Sequence, residues 1–195
     1  MTWDWTLILQ CVGTALGLLY LWLEYKANIW LWVVGAIMPV VHGVLYLRSG
    51  LYADSAMQLY YILAGLYGLL RWRRVSSSTK ILSPSISQTP TKLWPRIATL
   101  YLLIHLALYL MLKCFTDSTV PFWDSLTTAL CVVAYWMLSR KYVEQWLVWL
   151  VVDVVTIGLY LYKDIPLTAG LYLIYSVLAL VGYRRWMRMM HKSML

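Results

Sequence analysis

The chain has 195 residues and a formal net charge of +8; 62% of its residues are hydrophobic and only 12% are charged, with a mean hydropathy of +0.69. A soluble globular domain carries about a quarter charged residues and about half apolar ones, so this composition excludes a water-exposed fold and points to a bilayer. At about 20 residues per membrane-spanning helix, the length leaves no room for a sizeable soluble catalytic domain beside the spans.

Apolar runs bounded by charged or turn-forming residues predict seven transmembrane helices, over 5–23, 29–47, 51–72, 96–115, 122–138, 145–162 and 166–186. Helices are required because an isolated strand leaves its backbone polar groups unpaired in lipid, and a barrel would show short alternating segments of about ten residues. Ahead of the first apolar run there is no basic residue and Asp4 is acidic, so a cleaved signal peptide is not expected. Helix two contains Pro39, which is expected to kink it. The stretch 73–94, rich in Ser, Thr and Pro, reads as an exposed cytoplasmic linker, and 95–120 as a linking helix four.

Seven spans place successive loops on alternate sides of the membrane. One side receives Arg48, Lys113 and Lys163; the other receives the remaining 13 of the 16 Lys and Arg residues. By the positive-inside rule the N-terminus is outside and the C-terminus cytoplasmic. The basic pI of about 9.4 is thereby a matter of topology, and no nucleic-acid partner is expected. Cys11, Cys114 and Cys131 lie in apolar runs without metal-ligand or paired spacing, so no metal, cofactor or disulfide framework is indicated.

Displacing the chain against itself by 114 residues matches Thr14-Ala15-Leu16 to Thr128-Ala129-Leu130, Trp22 to Trp136 and Trp32 to Trp146 without a gap. Further on, Leu45-Tyr46-Leu47 falls on Leu159-Tyr160-Leu161, and Tyr61, Gly68, Arg71 and Trp72 on Tyr175, Gly182, Arg185 and Trp186. Shared Trp, Tyr, Gly and Arg in one register mark an internal repeat, 1–72 and 121–195. Three helices per repeat is an odd number, so two directly joined copies would point in opposite directions; the unpaired helix four restores the direction. The expected architecture is therefore an all-α integral membrane fold of seven transmembrane helices in a parallel 3+1+3 repeat, as in small transporters, whose substrate sites lie near the midplane at the repeat interface.

Polar residues at that depth are few. Asp153 is the clearest, since a carboxylate in mid-bilayer costs about 3 kcal/mol or more on insertion scales and needs a partner, water or ligand. Trp146, Trp149, Asp153, Thr156 and Tyr160 fall within about 80° of arc on helix six. The repeat-related stripe on helix two is Trp32, Gly35, Pro39, His42 and Tyr46. Helix three adds Ser55, Gln58 and Tyr61, helix seven adds Tyr172 and Tyr175, and helices one and five offer Gln10, Thr14 and Gly17, and Asp124, Thr128, Cys131 and Tyr135. A polar patch walled by indole and phenol rings around a carboxylate suits a flat, cationic or electron-poor ligand. The candidate substrate-binding residues are Trp32, His42, Gln58, Tyr61, Trp146, Trp149, Asp153, Tyr172 and Tyr175. Trp3, Trp72, Trp94 and Trp186, near helix ends, are expected to be interface anchors, and His105 an interhelical hydrogen-bonding residue.

Other classes fit poorly. No G-x-x-x-x-G-K-[ST] is present for ATP hydrolysis, helix seven offers no Lys for a retinal Schiff base, and no paired Asp, Ser/His arrangement or metal-ligand spacing suggests an intramembrane enzyme. The strings LEYKANIWLWVVGAIMP (23–39), GLYADSAMQLYYILAGLYGLLRW (50–72) and EQWLVWLVVD (144–153) resemble the PnuC-type vitamin transporters, a family of nicotinamide riboside carriers with a thiamine-carrying subgroup, PnuT. Its densest motif here is Glu144-x-Trp146-x-x-Trp149-x-x-x-Asp153; the chain departs from many relatives at Val33, after Trp32, and at Gly68-Leu69. The resemblance implies a fold similar to the SWEET sugar transporters, a homotrimer in a bacterial inner membrane, and facilitated diffusion with the vitamin trapped by cytoplasmic phosphorylation. Nicotinamide riboside and thiamine are both flat heteroaromatic cations with hydroxyls, and either would suit the same arrangement.

Overall fold

The computed structural model describes residues 5–48, 52–78, 86–116, 119–162, 164 and 166–194. Among them the chain forms seven α-helices and one 3-10 turn: α1 (Trp5–Tyr25), α2 (Leu31–Arg48), α3 (Tyr52–Ser78), the turn Thr91–Leu93, α4 (Trp94–Phe115), α5 (Pro121–Ser139), α6 (Gln145–Tyr162) and α7 (Pro166–Met194). The seven helices agree with those expected from hydropathy. Prolines in the first turns of α4 and α5 mark helix starts, where a missing N–H costs nothing. α2 continues as a helix through Pro39.

Two ends lie beyond the expected limits. α3 runs past Trp72 to Ser78 and α7 past Trp186 to Met194. At 1.5 Å per residue their 27 and 29 residues span about 40 Å, more than a hydrocarbon core of about 30 Å. Apolar runs report the part of a helix in lipid; the helical hydrogen bonding carries on into the basic segment beyond it.

The chain divides into two compact units, Met1–Pro84 and Ser85–Leu195. In the first, α1 packs on α2 and α2 on α3; in the second, α4 packs on α5, α5 on α6 and α6 on α7. Outward faces are apolar, with Leu102, Leu103, Val154, Leu173, Ile174 and Val177 exposed, the reverse of a soluble protein and the pattern of a multi-pass membrane protein. Thr91–Phe115 and Gln145–Tyr162 are each long and apolar enough to cross a bilayer.

The same turn ends α1 and α5. Ala27 and Lys141 both adopt a left-handed conformation, with φ of 51° and 56°. Ala27 N–H donates to the Glu24 carbonyl (2.8 Å) and Asn28 N–H to the Leu23 carbonyl (2.9 Å); Lys141 N–H donates to the Leu138 carbonyl (2.9 Å) and Tyr142 N–H to the Met137 carbonyl (3.1 Å). These are Schellman caps built without glycine. The capping pair Met137 and Tyr142 is buried together with Ile97 and Val133. Basic residues lie over rings just before each cap, Lys26 over Trp22 (3.8 Å) and Arg140 over Trp136 (4.7 Å).

A Trp–Gly–Trp wedge joins the second and third helices of this pattern in each unit. In the first unit, the Trp32 indole lies against Gly68, so closely that a Cβ there would collide with the ring, and meets Trp72 edge-on at 5.5 Å and 88°. In the second, the Trp146 indole lies 2.7 Å from where a Gly182 Cβ would stand and meets Trp186 edge-on at 5.8 Å and 87°. Trp72 and Trp186, expected at the membrane interface, are instead 2% and 0% exposed. Proximity to a basic helix end suggested anchors; instead each ring packs edge-on against the indole, Trp32 or Trp146, that the glycine one turn earlier seats.

Candidate functional site

α6 begins at Gln145 and places Asp153 two turns in from Trp146. Its inward stripe is continuous: Trp146, Asp153 and Thr156 are buried, and Trp149 and Tyr160 half-buried. Among the described residues the Asp153 carboxyl has no hydrogen-bond or ion-pair partner, although the residue is only 6% exposed. Cys131 of α5 and Tyr172 and Tyr175 of α7 lie within its electrostatic reach. Tyr160 and Tyr172 stack across α6 and α7 (5.5 Å, 25°), and Tyr172 meets Tyr175 edge-on (5.6 Å, 74°). The indole N–H groups of Trp146 and Trp149 are buried and unpaired among the described residues, an energetic cost unless a donor site is used by something else.

The second unit thus brings Asp153, Tyr172 and Tyr175 together, with Trp149 one turn before Asp153 on the same stripe. Trp146 belongs to the wedge with Gly182 and Trp186, which fixes its ring in one orientation. In the first unit Trp32 is held in the corresponding wedge. Gln58 is half-buried, its Cβ 3.4 Å from where a Cβ on Gly43 would stand, and Tyr61 is half-buried beside Tyr60, ring centroids 5.5 Å apart. The side chains of His42, Gln10, Thr14, Ser55 and Tyr46, and the whole of Trp3, lie outside the described residues. His105 accepts or donates a hydrogen bond with Ser125 (3.2 Å) between α4 and α5 and stacks on Tyr101, the packing role expected of it.

Three features escaped the sequence reading. Gly68 and Gly182 were visible as repeat matches, yet their function as slots for Trp32 and Trp146 depends on which helix faces which. Tyr160 was seen on its stripe without its stacking partner. The linker, expected to be exposed, has its end ordered against the α5–α6 turn, with Ile86 and Thr89 buried. Lys141, on that turn outside the membrane-spanning segments, is 5% exposed, and burial holds its ammonium down at about 8.

Seven helices with apolar outer faces define a multi-pass membrane protein, and its second unit buries an aromatic-walled carboxylate. A family model described as nicotinamide mononucleotide transporter matches residues 7–188, and the chain belongs to that family. It is 27% identical over 201 aligned positions to the nicotinamide riboside transporter PnuC of Escherichia coli, covering 91% of this chain and 84% of that protein. It is also 27% identical over 177 positions to the riboflavin/roseoflavin transporter RibM of Streptomyces davaonensis, covering 90% and 82%. The crystal structure of the vitamin B3 transporter PnuC shares the fold with a TM-score of 0.68 at 21% identity, over 91% of this chain and 79% of that one.

Proposed function

We propose that this protein takes up nicotinamide riboside across a bacterial inner membrane by facilitated diffusion, the cargo being trapped by phosphorylation in the cytoplasm. The observation that carries it is family membership over nearly the whole chain together with the relative named as a nicotinamide riboside transporter. Site chemistry favours that cargo over the others the family names. A mononucleotide carries a phosphate dianion, and no Lys or Arg occurs in 27–47, 49–70, 97–112, 114–139, 142–162 or 164–183 to meet it. Riboflavin is neutral and would leave the Asp153 charge unmatched. A pyridinium ring beside Asp153 and Trp149 satisfies both carboxylate and indole, and ribose hydroxyls suit Tyr172 and Tyr175, with Trp146 as a wall. Trp32, His42, Gln58 and Tyr61 of the first unit are proposed for cargo contact from their residue types alone. Thiamine, also a cation, remains the second cargo on charge grounds.

The architecture we propose is the parallel 3+1+3 repeat, similar to SWEET transporters, with repeats 1–72 and 121–195, linker 73–94 and linking helix 95–120. Support comes from the Schellman caps, the cation–ring pairs and the Trp–Gly–Trp wedges, each recurring at an offset of 114 residues. An N-terminus outside, a cytoplasmic C-terminus, lipid contact along the exposed apolar faces and a homotrimeric assembly complete the proposal. The cargo leaves chemically unchanged. Uptake of radiolabelled nicotinamide riboside into proteoliposomes tests it: Asp153→Ala and Trp149→Ala are expected to lose most uptake. Unchanged uptake in both overturns the site, and no uptake by the unaltered protein overturns the function.

A further inference from the structure

Residues 86–89 run alongside the α5–α6 turn. Ser87 N–H donates to the Lys141 carbonyl (3.2 Å) and Val143 N–H donates to the Ser87 carbonyl (3.0 Å), so Ser87 pairs with Tyr142 as in a parallel ladder. Two residues on, the Thr89 N–H and hydroxyl both donate to one Glu144 carboxylate oxygen, at 2.9 and 2.8 Å. Thr89 is 4% exposed and Val143 fully buried, so these bonds are shielded from competing water. Glu144 immediately precedes α6, and its carbonyl accepts the first helical bonds, from Leu147 N–H (3.0 Å) and Val148 N–H (3.2 Å).

The corresponding turn of the first unit is closed differently. There Asn28 stands at the position of Tyr142 and caps its own turn by accepting from Trp30 N–H through Oδ1 (3.0 Å), while Trp30, at the position of Glu144, is 62% exposed. In the second unit that local cap is gone. The Tyr142 ring is packed with Ile97, Val133 and Met137, and a segment 55 residues distant in sequence supplies the closure instead.

We infer that Thr89 and Glu144 are positioning residues for cargo binding: the end of the linker grips the first residue before α6 and sets the rotation of the helix that presents Trp149 and Asp153. The inference rests on the site proposed above. With side chains about 6 Å from the helix axis, a 20° rotation of α6 shifts their tips by about 2 Å, beyond the roughly 0.5 Å tolerance of a preorganised site.

The test uses the full chain in proteoliposomes, with KM and maximal rate of nicotinamide riboside uptake, and amide hydrogen exchange without cargo. Glu144→Ala and Thr89→Val are expected to raise KM by about tenfold with a maximal rate within about twofold, whereas Glu144→Gln and Thr89→Ser, which keep the acceptor and the hydroxyl, restore KM. Exchange should quicken at Val143 and in the first turn of α6 and stay unchanged in α2. Unaltered KM in both disruptive variants, or a KM in Glu144→Gln as poor as in Glu144→Ala, overturns the inference. Should Glu144→Ala fail to fold, Thr89→Val carries the same comparison. Absence of uptake by the unaltered protein defeats the cargo assignment instead, and the exchange comparison then still decides whether the contact holds α6.

Discussion

In the proposed site Asp153 is the residue on which cargo selection would turn, because a carboxylate without a basic neighbour discriminates by charge before shape. Asp153→Asn keeps volume and hydrogen-bonding capacity and removes only the charge. For a pyridinium cargo the loss of a desolvated carboxylate–cation attraction of about 2 kcal/mol corresponds to a roughly thirtyfold weaker binding, measurable as a Kd shift by calorimetry on purified protein. An equal Kd for Asp153→Asn would remove the carboxylate from the site. The wedge glycines carry a separate prediction. A methyl on Gly182 would stand 2.7 Å from the Trp146 ring, so Gly182→Ala overpacks the α6–α7 contact and should cost about 1–3 kcal/mol, seen as a lower Tm. Gly158→Ala, with no atom within 4 Å, is the control and should leave Tm unchanged or raise it. Asp153 was legible in the sequence because charge at mid-span is rare. Trp72 and Trp186 were misplaced because position along a helix says nothing about the face a ring takes when a neighbouring helix offers it an indole to pack against.

At the scale of elements, helix number and the bounds of α6 follow from apolar run length, whereas the C-terminal ends of α3 and α7 do not, since polar residues beyond the lipid can continue a helix or leave it. The turn before α6 shows what spacing cannot reveal: its left-handed residue is a lysine, and a segment from the distant linker covers it. Burial holds the Lys141 ammonium at about 8, below its ordinary 10.5. Between those two values the unfolded chain binds a proton that the folded protein has lost, so stability rises with pH through that window and is flat below about 8 as far as this group is concerned. Lys141→Met should remove that rise, so Tm of the purified variant and the unaltered protein, followed from pH 7 to 10, should converge toward high pH. Parallel profiles would show that the ammonium is not desolvated in the folded turn.

Across the whole molecule, the 114-residue offset was readable in Trp, Gly and Arg matches, and the two units repeat the capping and wedge geometry at that same offset. What they do not repeat is the chemistry along the inner stripe, where Asp153 stands against Pro39 and Thr156 against His42. In the proposed site one repeat therefore supplies the carboxylate, and that charge would favour a singly charged cation. Two consequences can be measured together in proteoliposomes. Nicotinamide riboside should equilibrate to equal concentrations on both sides and no further, with an imposed pH gradient leaving the end point unchanged, as the proposed facilitated diffusion requires. Nicotinamide mononucleotide in excess should fail to compete, since its phosphate would enter the span interiors 27–47, 49–70, 97–112, 114–139, 142–162 and 164–183, which hold no Lys or Arg, while facing Asp153, whereas thiamine should compete. Accumulation above equality under a proton gradient would bring Asp153 into a protonation cycle, and competition by the mononucleotide would require a basic residue from a span end to reach the cargo.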